Sequence, residues 1–231
     1  DQSRFGLIGE YAMRKDFKTG FSLEIGVNPN VGPGTGGIPG LVSDTFLVRQ
    51  ANVYFDTVLG KWTLGQQSSA TDNIAEISIS SASVAARMLN LDPLGSTYLP
   101  FFTPNNLPFD GGRGQFIRYD SPSLAGFIAS AAYGQSDDIL GLFTDNQLMD
   151  VALRYAGDLA EFKVAGGIGY RRESATLALG GDTSSNTLTG SASVMHLPTG
   201  IFVNGAAGRF TGDLNGSILG IPFALLSDTT F

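Results

Sequence analysis

Segments of about ten residues, in which apolar side chains alternate with small or polar ones, recur along this chain and limit what it can fold into. Phe5, Leu7, Gly9, Tyr11 and Met13 fall on one parity, and Arg4, Gly6, Ile8 and Glu10 on the other. After a short polar turn, Phe21, Leu23, Ile25 and Val27 repeat the first set and Ser22, Glu24, Gly26 and Asn28 the second. A period of two is that of a β-strand, whose successive side chains point to opposite faces. A strand with lipid on one side and a water-filled interior on the other shows this pattern, and a closed sheet is how strands cross a membrane.

Further along, strands are expected near 45–56, 61–67, 115–119, 127–133, 148–155, 162–171, 188–196 and 201–210, which makes about ten visible strands. The connections after odd-numbered strands read as short and those after even-numbered strands as long, including 135–146, 173–186 and the stretch from Leu214 onward. Sorting of this kind is expected when one rim of a barrel faces the periplasm and the other the outside. Residues 68–112 form by far the longest connection. Connections beyond about 15 residues in a compact fold are usually functional or disordered. Tyr11, Tyr54, Tyr119, Tyr133, Tyr155 and Tyr170 fall at strand ends, where interfacial aromatic girdles belong. Arg118, Arg154 and Arg171 share the polar parity, whereas Arg209 shares that of Ile201 and Val203 and is expected at the outer rim or at a bulge.

Composition narrows the function. The 231 residues are 42% hydrophobic, yet Gly, Ser, Asp or Asn interrupts every apolar run before the about 18 residues that a spanning helix needs. Absence of cysteine rules out disulfides and thiolate metal sites. A net charge of −7 and the lack of any basic tract argue against nucleic acid as a partner. The lone histidine, His196, ends a strand beside Pro198 with no motif-level Ser or Asp partner, so a rim residue is expected rather than a general base. The Gly-rich runs 32–40 and 180–181 open no helix and read as loops rather than phosphate cradles. No enzyme and no cofactor are expected. The acid-rich loop Gln135-Ser136-Asp137-Asp138 could bind Ca²⁺ but lacks the spacing of a dedicated site. The chain starts at Asp1 without an initiator Met or a leader-like segment, which implies processing or a partial chain.

Several short segments, taken in order, resemble the trimeric general porins of Gram-negative outer membranes: Ser3-Arg4-Phe5-Gly6-Leu7, Phe21-Ser22-Leu23-Glu24, Arg49-Gln50-Ala51-Asn52-Val53, Trp62-Thr63-Leu64-Gly65-Gln66 and Arg118-Tyr119-Asp120-Ser121-Pro122. The resemblance spans Ser3 to Phe210 and implies a transmembrane antiparallel β-barrel of about 16 strands, of which residues 1–231 would be one partial domain. In such porins one long loop folds inward, and residues 68–112 match it. Wall arginines there face carboxylates on the loop, and opposed charges orient polar solutes without a deep binding well. Arg4 and Arg49 match family wall arginines, and Arg113 lies near another. With Arg118 and Arg154 they make the expected basic wall, and Asp72, Glu76, Asp92 and Asp110 the expected acidic loop. Residues 107–112, Leu-Pro-Phe-Asp-Gly-Gly, resemble the loop-tip motif with acid and aromatic exchanged, and Gln66 replaces an arginine found in many relatives.

The implied function is passive diffusion of small hydrophilic solutes and ions by a homotrimer among outer-membrane lipid and lipopolysaccharide. Gln50 and Asn52, read as outward, fit a subunit contact. Two other readings stay open: a substrate-selective porin with an aromatic track of Tyr98, Phe101 and Phe102, and a soluble all-β binding module. The last expectation is that Leu214–Phe231 carries too little alternation to be strand.

Overall fold

The computed structural model describes residues 3–27, 46–79, 112–136, 143–177, 181–218 and 221–230. Among these, every regular element is a strand: β1 (Ser3–Arg14), β2 (Phe17–Val27), β3 (Phe46–Thr57), β4 (Gly60–Ser68), β5 (Arg113–Asp120), β6 (Phe127–Ser136), β7 (Phe143–Leu159), β8 (Phe162–Leu177), β9 (Gly181–His196), β10 (Phe202–Ile218) and β11 (Ile221–Thr230). They form one antiparallel sheet in sequence order, with β1 and β11 at its edges. Strand 11 corrects the expected count of ten. The tail is strand after all, and β10 and β11 pair from Arg209↔Thr230 to Ile218↔Ile221.

The alternation sorts the two faces as expected. Val53, Leu64, Ile117, Tyr133 and Met149 are successive cross-strand partners and all stand exposed on one face. A continuous apolar face of this kind is a surface that water does not favour and a bilayer does. Along the short-turn rim aromatic rings pair across strands, Trp62 with Tyr119 at 4.9 Å between centroids and Phe127 with Tyr155 at 4.7 Å. Tyr54 departs from the girdle. It is buried on the opposite, polar face, where its hydroxyl donates to Glu10 Oε2 at 3.0 Å.

That departure comes from a β-bulge. Glu24 pairs with Gln50 and Ile25 with Val48, so Arg49 is an extra residue in β3. One inserted residue shifts the parity of the rest of its strand. Gln50 therefore lies beside Ser22, which donates to its Oε1 at 3.1 Å, and Asn52 donates to the Gln66 carbonyl at 3.0 Å. Both belong to the polar face, so they give no support to an outward subunit contact.

Loop length was the other misreading. Strands β7 to β10 run 17, 16, 16 and 17 residues, and only residues 178–180 separate β8 from β9. A strand of about 16 residues, at about 3.3 Å each and tilted near 45°, rises roughly 37 Å, beyond an apolar band of roughly 25 Å. The ladder continues through Arg172↔Asn186, Glu173↔Ser185 and Ser174↔Ser184. Side chains there are polar on both faces, so the period of two vanishes while the backbone stays paired. Arg209 sits in a regular ladder opposite Leu188 and Thr230, with no bulge, and its guanidinium bonds Asp228 at 3.1 and 2.8 Å.

Candidate functional site

The polar face holds two groups of charges. On β1–β3, Glu24 lies between the arginines expected of the wall: its Oε1 is 2.7 Å from Arg49 Nε and 3.7 Å from Arg4 Nη1. Toward the short-turn rim, Lys18 Nζ is 3.3 Å from Glu10 Oε1, and Lys61 Nζ stands 4.1 Å over the Tyr54 ring. Nothing described lies over this part of the wall beyond its own side chains.

On β5–β10 the chain after β4 covers the face. Ser69 N–H donates to the Gly112 carbonyl at 2.9 Å, closing the neck of the connection, and turn bonds run from Asp72 to Ser69 and from Ile74 to Thr71. Asn73 takes a φ of 65° there, a left-handed conformation that asparagine tolerates better than most residues. Ala70 and Ile74, both fully buried, pack against Phe116, Ala132, Leu148 and Ala152 of the wall. This apolar cluster lies on the otherwise polar face because the segment excludes water from it.

Polar contacts fix the segment's backbone. Arg118 Nη1 donates to the carbonyls of Ser68 and Ser69 at 3.2 and 2.9 Å, while its Nε and Nη2 hold Asp120 at 3.1 Å or less. Arg154 Nη2 donates to the carbonyls of Ala70 and Asp72 at 2.7 and 2.9 Å. Asp150, 1% exposed, accepts the N–H of Ala70 at 3.1 Å, the N–H of Thr71 at 2.8 Å and the Thr71 hydroxyl at 2.6 Å. Farther on, Ser191 Oγ accepts the Ile77 N–H at 3.3 Å and donates to the Ile74 carbonyl, and Ser193 Oγ accepts the Ile79 N–H at 3.1 Å.

Of the expected basic wall, Arg4 and Arg49 meet at Glu24, and Arg118 and Arg154 meet at the loop. Arg113, half-buried at the start of β5, is near enough for its charge to act on Asp72. Of the expected acidic loop, Asp72 and Glu76 lie in the docked segment, whereas Asp92 and Asp110 fall outside the described residues, as do Tyr98, Phe101, Phe102, Asp137 and Asp138. Burial pushes the Asp72 carboxyl up. The Ser68 hydroxyl bond and the charges of Arg113 and Arg118 oppose that rise, and Glu76 adds to it. A cavity of about 480 Å³ is lined by Lys61, Asp56, Asp120, Ser130, Arg118 and Arg154, among others. Among the described residues no cluster of His, Cys, Asp or Glu is suited to a metal ion. His196 closes β9, with Nδ1 2.9 Å from the Thr199 hydroxyl and Nε2 3.5 Å from Glu161.

Sequence reasoning missed Glu24 and Asp150. Both share the parity of recognised arginines, but their roles depend on partners far along the chain.

The profile of a family described as Gram-negative porin matches residues 2–217. No curated protein matches the chain significantly. Among solved structures, the loop L8 deletion mutant of OmpT, an outer membrane protein of Vibrio cholerae, superposes with a TM-score of 0.50 at 15% identity over 98% of this chain and 65% of that one. Salmonella typhi OmpF in complex with daunomycin scores 0.44 at 13% identity, over 100% and 78%. An anion-selective porin from Comamonas acidovorans scores 0.35 at 13% identity, over 98% and 84%. By the family match, the chain belongs to the Gram-negative porin family, whose place is the bacterial outer membrane. It spans about two thirds of the length of the Vibrio protein.

Proposed function

We infer that the protein forms a water-filled outer-membrane channel for passive diffusion of small hydrophilic solutes and ions, with no chemistry performed on them. The observation that carries this reading is the docked segment. A sheet with an apolar face suited to lipid has, on its other face, a connection folded back onto the wall instead of projecting from the rim. Such a segment narrows the space that the polar face borders, and Arg4, Arg49, Glu24, Lys18 and Lys61 then line what remains open. Opposed charges at a constriction orient polar solutes without trapping them. Assembly as a homotrimer, with lipid and lipopolysaccharide against the rest of the apolar face, completes the proposal. The exposed apolar face and the family match leave no room for a soluble binding module.

Planar-bilayer recording on detergent-folded protein tests it. Stepwise, ohmic conductance increments with no saturation by small sugars are expected. Folded protein that inserts without conductance would overturn the channel, and block by one solute class would replace general diffusion with a selective track.

A further inference from the structure

We propose that Asp150 and Gly169 form a seat that sets how closely the segment from Ser69 to Ile79 lies on the wall, and hence how wide the channel is. The inference rests on the channel reading and goes beyond it by naming positioning residues.

Three observations converge on Thr71. Its N–H and hydroxyl both donate to Asp150 Oδ2, and the preceding N–H donates to Oδ1, so one carboxylate holds two consecutive peptide groups and a side chain. Bonds to an ionised acceptor are the strong kind, and this one is shielded from water. Opposite Asp150's own strand, β8 offers glycine where the segment presses hardest. A Cβ at Gly169 would lie 2.7 Å from Thr71 Cγ2, and one at Gly167 would lie 2.8 and 2.9 Å from the Cδ1 atoms of Ile77 and Ile74. The isoleucine tips could swing aside. Thr71 could not, because it is short, branched and clipped to Asp150. Gly169 therefore leaves room at the one point where the segment has no slack, and Ser191 and Ser193 continue the seat along β9. Asp150 itself borders no route for solute: it is 1% exposed and sits beneath the segment. It acts through the segment's position.

The chain has no cysteine, which makes a covalent test clean. In Asp150→Asn one accepting oxygen becomes a donor facing the Thr71 N–H, so the clip opens. Single-channel recording should then show noisier open states and a raised conductance, as expected when a pore widens at its narrowest point. In a Thr71→Cys, Gly169→Cys pair, the new Cβ lies 3.4 Å from that of residue 71, just under the range of about 3.5–4.5 Å that a disulfide spans, so a shift of about a tenth of an ångström admits the bond. Oxidation should cross-link the pair, read by thiol labelling independently of any current. It should also quieten D150N to the unaltered level, and reduction should restore the noise. A folded D150N indistinguishable from the unaltered protein overturns the proposal. If D150N does not fold, the cysteine pair alone decides. Cross-linking that leaves conductance unchanged, with noise that rises on reduction, upholds the seat; labelled, uncross-linked thiols overturn it. Loss of the channel reading looks different, since the unaltered protein itself would then carry no current.

Discussion

On β1–β3 the polar face carries its ions in the open, while on β5–β10 the same face carries a length of chain. Glu24, Arg4 and Arg49 form a cluster on the first wall, with Arg4 more than half exposed. Asp150, Arg118 and Arg154 belong to the second, and each bonds the backbone of residues 68–72. Strand parity alone assigns five of the six side chains to one polar face, and the bulge in β3 turns Arg49 to the same side. The difference is what each charge faces. A guanidinium that satisfies buried carbonyls is part of the scaffold even where it also borders a cavity, whereas two guanidinia that share one carboxylate leave a net positive charge on the wall. Unlike roles from like residues arise from their partners rather than from exposure, since the Arg49 and Arg118 side chains are 18% and 19% exposed: leaving a buried carbonyl unmet is expensive, whereas losing one contact of an ion pair costs less.

Arg154→Ala should break the comparison hardest. It strands the carbonyls of Ala70 and Asp72, and loss of charge-assisted bonds at a buried site costs roughly 2–3 kcal/mol. Thermal unfolding in detergent should show a clear drop in midpoint, and limited proteolysis should newly cut between residues 70 and 79. An unchanged midpoint would mean that the arginine is as free as those on the open wall.

Arg49→Ala is the matching change on the other wall, with the opposite profile. Stability should move by about 1 kcal/mol, less than in Arg154→Ala, because a part-buried ion pair is lost but no carbonyl is stranded. Ion preference should move visibly, because Glu24 is left with only the longer contact to Arg4. A reversal potential measured in a KCl gradient should shift toward cations. If stability falls as far as in Arg154→Ala and selectivity holds, the two walls are alike.

The same physics decides how much of the fold and site is legible in the sequence. Alternation in β1 and β2 places both faces, since Phe21 and Leu23 against Ser22 and Glu24 leave one solution. It fails at Arg49, because an inserted residue is invisible without its partner strand, and so Gln50, Asn52 and Tyr54 are assigned to the wrong side. It fails again over 173–176 and 182–186, where Ser, Thr, Asp and Asn on both faces read as loop although the backbone stays paired. Asp150 lies in plain view on the polar parity of β7, but what makes it matter is the segment 79 and 80 residues earlier. No local spacing encodes that distance.

The finest distinction falls on Asp72, an acid of the segment on the covered wall. Its Oδ2 is buried with no hydrogen-bond partner, and its carboxyl is pushed up, mainly by burial. A group that binds its proton more tightly in the folded state stabilises that state while protonated. That contribution is complete at pH values below its ordinary, unfolded range and is lost as pH climbs through the raised value. Docking should therefore weaken as pH rises across that window, the reverse of an acid held by a salt bridge. Asp72→Asn removes the ionisable group and should raise stability at neutral pH by under about 1 kcal/mol, in keeping with a change that removes no packing. Melting curves taken at intervals from acid to neutral pH should diverge upward for the variant, with the unaltered protein losing ground only above the ordinary carboxylate range. Parallel curves would show that Arg113 and Arg118 already offset the burial, and that Asp72 behaves like a carboxylate of the open wall.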